Sequence, residues 1–170
     1  INVADGEEYS RIVLNHQAYS SRTIASKRGS IVDRNGTVLA YSKKVYNLVL
    51  DPFVINSDEK KKDATVDAVS EYFGIDKNEI EDVLTNQKDS RYRKMKSELE
   101  EDFVNKFKAQ MEENENIDGV WFEDDYKRVY PFGTLAADVI GFYNKNNGGE
   151  LGLEKKYDSD LTGTDGLAYT

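Results

Sequence analysis

Arg28-Gly29-Ser30-Ile31-Val32-Asp33-Arg34-Asn35-Gly36-Thr37-Val38-Leu39-Ala40 sets a polar turn between two apolar runs. Asn35-Gly36 tolerates the positive φ of a tight hairpin turn, so Ile31-Val32 and Val38 to Ala40 read as its two strands. Working outward, two later stretches mix glycine and charge in the same way. One is Arg128-Val129-Tyr130-Pro131-Phe132-Gly133; the other is Gly149-Glu150-Leu151-Gly152-Leu153-Glu154, followed by Leu161-Thr162-Gly163-Thr164-Asp165-Gly166. Singly, each is only a turn signal, because Gly, Pro and Asn-Gly punctuate turns in any protein.

Taken in order, with charged residues at the matching places, these stretches resemble the RGxxxDRNG, RxYPxG and GxxGxE motifs, with LxGxxG behind, of one family. It is the N-terminal, non-catalytic region of class B penicillin-binding proteins, the monofunctional peptidoglycan transpeptidases. The resemblance runs from Arg28 to Gly166; between about 57 and 119 it rests on length and helical character alone. It implies an α+β fold, an elongated pedestal often called the dimerisation domain. Residues 1–56 and 117–170 are expected to form a β-rich base, with a helix-rich lobe inserted at 57–116.

The motif residues Arg28, Gly29, Asp33, Arg34, Asn35, Gly36, Arg128, Tyr130, Pro131, Gly133, Gly149, Gly152, Glu154, Leu161, Gly163 and Gly166 read as structural. Arginine-carboxylate contacts can tie segments that lie far apart in the chain, fixing their orientation more than adding stability. Arg28 is expected to pair with Glu154, and Arg34 or Arg128 to complete a polar network with Asp33. Gly29, Gly36, Gly133 and Gly152 would serve as backbone corners. Pro131 would hold an edge or corner of the same junction.

Composition narrows the function classes. A chain of 170 residues suits one domain, or a domain with a sub-lobe. Hydrophobic residues at 38% against 32% charged imply a small core and a highly polar surface. The net charge of −9 repels phosphate backbones and anionic lipid, which argues against nucleic acid as a partner. The run Lys60-Lys61-Lys62 is flanked by Asp58, Glu59 and Asp63 and reads as a solvated helix face. Cys is absent, so disulfides and thiolate chemistry are excluded. No apolar run of membrane-spanning length occurs. The chain starts at Ile1 without Met, and the resemblance implies a membrane anchor just before this region and a transpeptidase domain just after it.

Periodicity supplies the elements. Tyr9, Ile12, Val13, His16 and Tyr19 mark an amphipathic helix from about 7 to 20. Residues 23–31 look extended, and Val45 to Leu50 reads as a mostly buried strand ended by Asp51-Pro52. Ser57 or Asp58 caps a helix to Phe73, with Gly74 as its stop. Asp76 with Glu79, and Ser97 with Glu100, read as capping boxes for two more helices, with a short strand at Tyr92 to Met95 between them. Val120-Trp121-Phe122, a turn at Glu123-Asp124-Asp125, and Tyr126 to Tyr130 read as a hairpin. Thr134 would cap a helix through about Phe142, and Asn144 to Gly149 reads as a loop. A short helix at Leu151 to Tyr157 and a last strand at Leu161 to Tyr169 complete the chain.

Penicillin-binding enzymes acylate a Ser-x-x-Lys serine, with Ser-x-Asn and Lys-Thr-Gly as partner motifs. Ser57-Asp58-Glu59-Lys60 matches the first on paper, but Ser57 stands where a helix cap is needed and neither partner motif exists; Leu161-Thr162-Gly163 lacks the Lys. The lone His16 has no Ser or Cys organised around it, and on an amphipathic helix it reads as a packing residue. Asp33-Arg34-Asn35-Gly36 opens like a calcium loop, yet lacks the later acidic ligands. No catalytic residue, metal or cofactor is expected.

The resemblance implies a scaffold that holds its own transpeptidase domain on the extracytoplasmic face of the bacterial membrane. It also implies surfaces for a cell-wall glycosyltransferase or other morphogenetic membrane proteins, and a possible homodimer. Two rival readings belong to other classes: a free-standing cell-wall glycan hydrolase using paired carboxylates, and a wall-sensing binding module.

Overall fold

The structure is a computed structural model and describes residues 21–133 and 137–169. The helix expected over 7–20, with His16, and the cap expected at Thr134 lie outside the described residues. The strands are β1 (Ser21–Ile24), β2 (Ile31–Val32), β3 (Val38–Leu50), β4 (Arg93–Leu99), β5 (Val120–Val129), β6 (Tyr143–Asn144), β7 (Gly148–Gly149) and β8 (Gly166–Tyr169). The helices are α1 (Pro52–Ile55), α2 (Glu59–Phe73), α3 (Lys77–Asn86), α4 (Glu101–Glu113), α5 (Ala137–Ile140), α6 (Gly152–Lys156) and α7 (Asp158–Leu161). The fold class is α+β. The chain divides into two compact units, Ile1–Ser42 with Arg128–Thr170, and Lys43–Lys127. The second is wider than the 57–116 lobe read from sequence, because it takes in most of β3 and β5.

In the helical unit, Lys43–Lys127, β3 pairs antiparallel with β4, with Tyr46 opposite Leu99 and Leu50 opposite Arg93. β5 pairs with β3 on its other side. Tyr46, Leu48 and Leu50 enter an apolar core with Val66, Val69 and Phe73 of α2, Ile80 and Leu84 of α3, and Val104 and Phe107 of α4. Val66, Val69 and Phe73 recur at intervals of three and four, which puts them on one helical face. Asp58 caps α2 by accepting from the Lys60 amide at 3.0 Å, and Gly74, at φ +66°, ends it in the left-handed region that other residues avoid. Asp51 does more than stop a strand: its carboxylate accepts from the Val54 amide, and Pro52 opens the short helix α1.

Two elements here differ from the sequence reading. β5 is one continuous strand, with no turn at Glu123-Asp124-Asp125. Those acids are held in the strand by cross-strand partners: Asn47 Nδ2 donates to Glu123 and Asp125, and Lys44 pairs with Asp124 at 2.9 Å. Ser97 lies inside β4 and does not start a helix; α4 begins after Glu100, whose side chain makes no capping bond.

In the junction unit, Ile1–Ser42 with Arg128–Thr170, β2 pairs with the first residues of β3, Ile31 opposite Ala40 and Val32 opposite Val38. β1 pairs antiparallel with β8, Ile24 opposite Gly166. The loop expected after Asn144 is a small ladder, β6 with β7. Leu161 ends α7 and is not the start of the last strand, which begins at Gly166. Gly149 and Gly152 stand where backbone segments approach closely: a Cβ would overlap the Glu154 carbonyl at the first and the Val139 carbonyl at the second, where φ is also +59°.

Candidate functional site

The junction unit is organised around Glu154, which has no solvent exposure. It sits in the first turn of α6, where a carboxylate is favoured by the helix dipole, and the close approach at Gly149 and Gly152 seats that turn. A buried carboxylate needs its oxygens satisfied, and here both are. Glu154 Oε2 accepts from Arg28 Nε at 2.8 Å, with Arg28 Nη2 also 2.8 Å away, and that Nη2 donates to the Glu154 carbonyl at 3.0 Å. Glu154 Oε1 accepts from Arg128 Nε at 2.8 Å and from the Tyr130 hydroxyl at 3.2 Å.

Both guanidinium groups are themselves buried, at 6% exposure for the Arg28 side chain and 4% for Arg128. Arg28 Nη1 donates to Thr162 Oγ1 at 2.9 Å and pairs with Asp158 at 2.8 Å, while its guanidinium lies 4.5 Å over the Tyr143 ring. Arg128 Nη1 donates to the Gly29 carbonyl at 2.6 Å and to Ser42 Oγ at 3.3 Å. The Ser42 hydroxyl in turn donates to the Arg28 carbonyl at 3.0 Å. Gly29 N donates to the Leu161 carbonyl at 2.8 Å, so the first and last motif segments also meet through their backbones. The buried Arg28, Arg128 and Glu154 together with the partly exposed Asp158 balance in charge. Arg128 Nη2 is buried with no acceptor among the described residues.

Environment shows in the titrating groups. Backbone donation from Gly149, followed by the contact with Arg28, holds Asp158 below the usual aspartate range. Burial, then the neighbouring Glu154 carboxylate, pushes the Tyr130 phenol up.

The structure thus brings Arg28, Gly29, Arg128, Tyr130, Gly149, Gly152, Glu154 and Leu161 together. It keeps Asp33, Arg34, Asn35 and Gly36 apart from that cluster, and this corrects the expected network with Asp33. Asp33 Oδ1 accepts from the Asn35 and Thr37 amides at 2.7 and 2.8 Å, so it holds the β2–β3 turn, where Gly36 has φ +84°. Those two amides draw its pKa below the ordinary value, the Thr37 bond most strongly. Arg34 is exposed. Pro131 and Gly133 form the turn that leaves β5, closed by Gly133 N on the Tyr130 carbonyl at 3.0 Å. Gly163 packs against Ser26, and Gly166 opens β8.

Ser42, Tyr143, Asp158 and Thr162 complete the cluster without having been singled out from sequence. Asp158 follows Glu154 by four residues, a helical spacing that was available as a signal; Ser42 and Tyr143 lie outside the motifs. Ser57 Oγ donates to the Val54 carbonyl at 2.6 Å, closing α1, and Asp58 supplies the α2 cap. No group of three His, Cys, Asp or Glu side chains suited to a metal occurs among the described residues. None of the described helices is long and apolar enough to cross a membrane.

Residues 23–170 match the penicillin-binding protein dimerisation domain family, and the chain belongs to that family. It is 30% identical over 146 residues to the peptidoglycan D,D-transpeptidase FtsI of Buchnera aphidicola (from Schizaphis graminum), covering 85% of this chain and 25% of that protein. Penicillin-binding protein 2X of Streptococcus thermophilus superposes with a TM-score of 0.63 at 25% identity, over 87% of this chain and 24% of that one. The PBP2 of a Helicobacter pylori complex with MreC shares the fold at a TM-score of 0.59 and 23% identity, over 86% of this chain and 30% of that one. The chain therefore spans about a quarter of the length of such relatives.

Proposed function

We propose that the chain is the non-catalytic N-terminal pedestal of a class B penicillin-binding protein. It positions a transpeptidase domain for peptidoglycan cross-linking on the extracytoplasmic face of the membrane, below which an N-terminal anchor holds the protein. The observation that carries this reading is the use made of the charged motif residues. Arg28, Arg128 and Glu154 are consumed by one another in a buried junction and present no reactive group to a substrate. Such a junction orients segments, which is the work of a scaffold. Residues 57–116 are the surface offered to cell-wall partners, a polymerising glycosyltransferase or a morphogenetic membrane protein. The relative in complex with MreC supports partners of the latter kind.

Fluorescent penicillin and purified peptidoglycan test the reading together. The isolated chain is expected to take no covalent label and to release no soluble wall fragments, while the longer parent protein takes label. Labelling of the chain itself would overturn the pedestal reading. Release of glycan fragments by the chain would restore the hydrolase.

A further inference from the structure

In the helical unit, α2 and α4 leave a groove of about 650 Å³ lined by Ala68, Glu71, Tyr72, Gln110, Glu113 and Ile117. Its floor is apolar: Ile117 is buried, and Ala68 and Tyr72 are half-buried against the core. Its rim is acidic. Glu71 and Glu113 are exposed, with Glu112 beside them, and none of the three makes an ion pair among the described residues.

These acids stand at the wrong end of their helices. A helix C-terminus carries partial negative charge and favours cations. Yet the last turn of α4 holds Glu112 and Glu113 with no base, and the last turn of α2 has no base either. Lys77, paired with Asp67 at 2.6 Å, is within electrostatic reach of Glu71, whereas Glu112 and Glu113 have no base in their own turn; a local rule broken in this way marks a surface kept for a function. The unit as a whole, Lys43–Lys127, carries nearly all of the net charge of −9, so the field around the groove attracts a cationic partner.

We propose that this groove docks a basic amphipathic helix of a partner protein. One apolar side chain seats over Ala68, Tyr72 and Ile117, and Lys or Arg side chains on either side meet Glu71 and Glu113. The apolar floor gives the helix-in-groove mode its anchor, and the acidic rim gives selectivity and a fast encounter. The proposal deepens the scaffold reading by naming the chemistry of a partner, and so rests on it.

The test titrates the purified chain with a fluorescent helical peptide of about five turns that carries a leucine stripe flanked by lysines. Two further probes are the same peptide with glutamate for lysine and an oligolysine of equal length. The basic helix is expected to bind, with affinity falling about tenfold or more in the double variant Glu71→Lys, Glu113→Lys and falling again in raised salt. Circular dichroism checks that the variant keeps its helix content. Ala68→Trp, which fills the groove without changing charge, is expected to weaken the basic helix and leave oligolysine unaffected. The proposal is overturned if oligolysine binds as tightly as the amphipathic helix, or if both variants bind it unchanged. It is equally overturned if the groove is filled by a second copy, seen as a dimer that Glu71→Lys, Glu113→Lys dissolves. These readouts concern the groove alone, whereas failure of the pedestal reading appears as penicillin labelling or wall cleavage.

Discussion

Phe107, Leu48, Leu50 and Ile80 are among the largest fully buried side chains of the helical unit; among the described residues of the junction unit that place is held by Glu154. Apolar burial is non-directional and scales with area, so the helical unit tolerates changes of detail that preserve volume. A buried carboxylate shared by two guanidinium groups is directional: each hydrogen bond has one geometry, and removing one member strands the others. The first unit is specified by a pattern of residue types. The second is specified by particular residues, and for that reason it leaves a motif in the sequence.

Removing the carboxylate should separate the two units most sharply. Glu154→Ala leaves Arg28 and Arg128 buried without their shared anion, a loss on the order of 3–5 kcal/mol. Native-state hydrogen exchange is expected to show faster exchange at the Gly29 amide, which donates to Leu161, while α2 amides keep their protection. Equal loss in both units would mean that the division at Ser42 and Arg128 has no energetic counterpart. The mirror experiment is Leu48→Ala, which opens a cavity beneath α2 and α4 and costs about 2–5 kcal/mol. There the α2 and α4 amides lose protection and the Gly29 amide keeps it.

Different physics also explains what could be read in advance. The helix α2 was legible from local signals: a cap at Ser57 or Asp58, Gly74 as stop, and the spacing of Val66, Val69 and Phe73. The strands of the helical unit were less so. Glu123-Asp124-Asp125 reads as a turn because three acids disfavour a strand, and only the partners on β3, Asn47 and Lys44, reverse that preference. Within the junction, the arginines and the glutamate announced themselves by their motifs. The grouping of Arg128 with Glu154, and not with Asp33, did not. Asp33 has amides to accept from two and four residues on, a local solution that no long-range partner has to improve.

Acid offers a smaller, graded way to sharpen the contrast. Asp158 and Asp33 both have pKa values lowered by folding, chiefly through backbone amide donation, from an ordinary value near 3.8. A lowered carboxylate stabilises the folded state above its ordinary value, and that contribution disappears as pH falls through the folded value. Junction stability should therefore stay level from neutral pH down to about 4 and decline below it. Asp158→Asn removes part of the decline. Because the Asp158 side chain is 40% exposed, the part removed is of the size seen for surface ion pairs, about 0.2–1 kcal/mol. Urea unfolding of both proteins at pH 7 and at pH 3 measures the difference.

The smallest effect is the most discriminating within the motif itself. Arg34 and Arg28 lie six residues apart in one signature, but the first is exposed and the second is buried on Glu154 and Thr162. If the signature as a whole served to hold the junction, Arg34→Ala would be felt there. The structure gives Arg34 no hydrogen bond or ion pair to lose among the described residues, and the turn it occupies is fixed by Asp33 and Gly36. Arg34→Ala is therefore expected to change stability by less than about 0.5 kcal/mol, as for an ordinary surface site. A thermal shift for Arg34→Ala comparable to that of Arg28→Ala would show that Arg34 contributes to the junction in the folded protein.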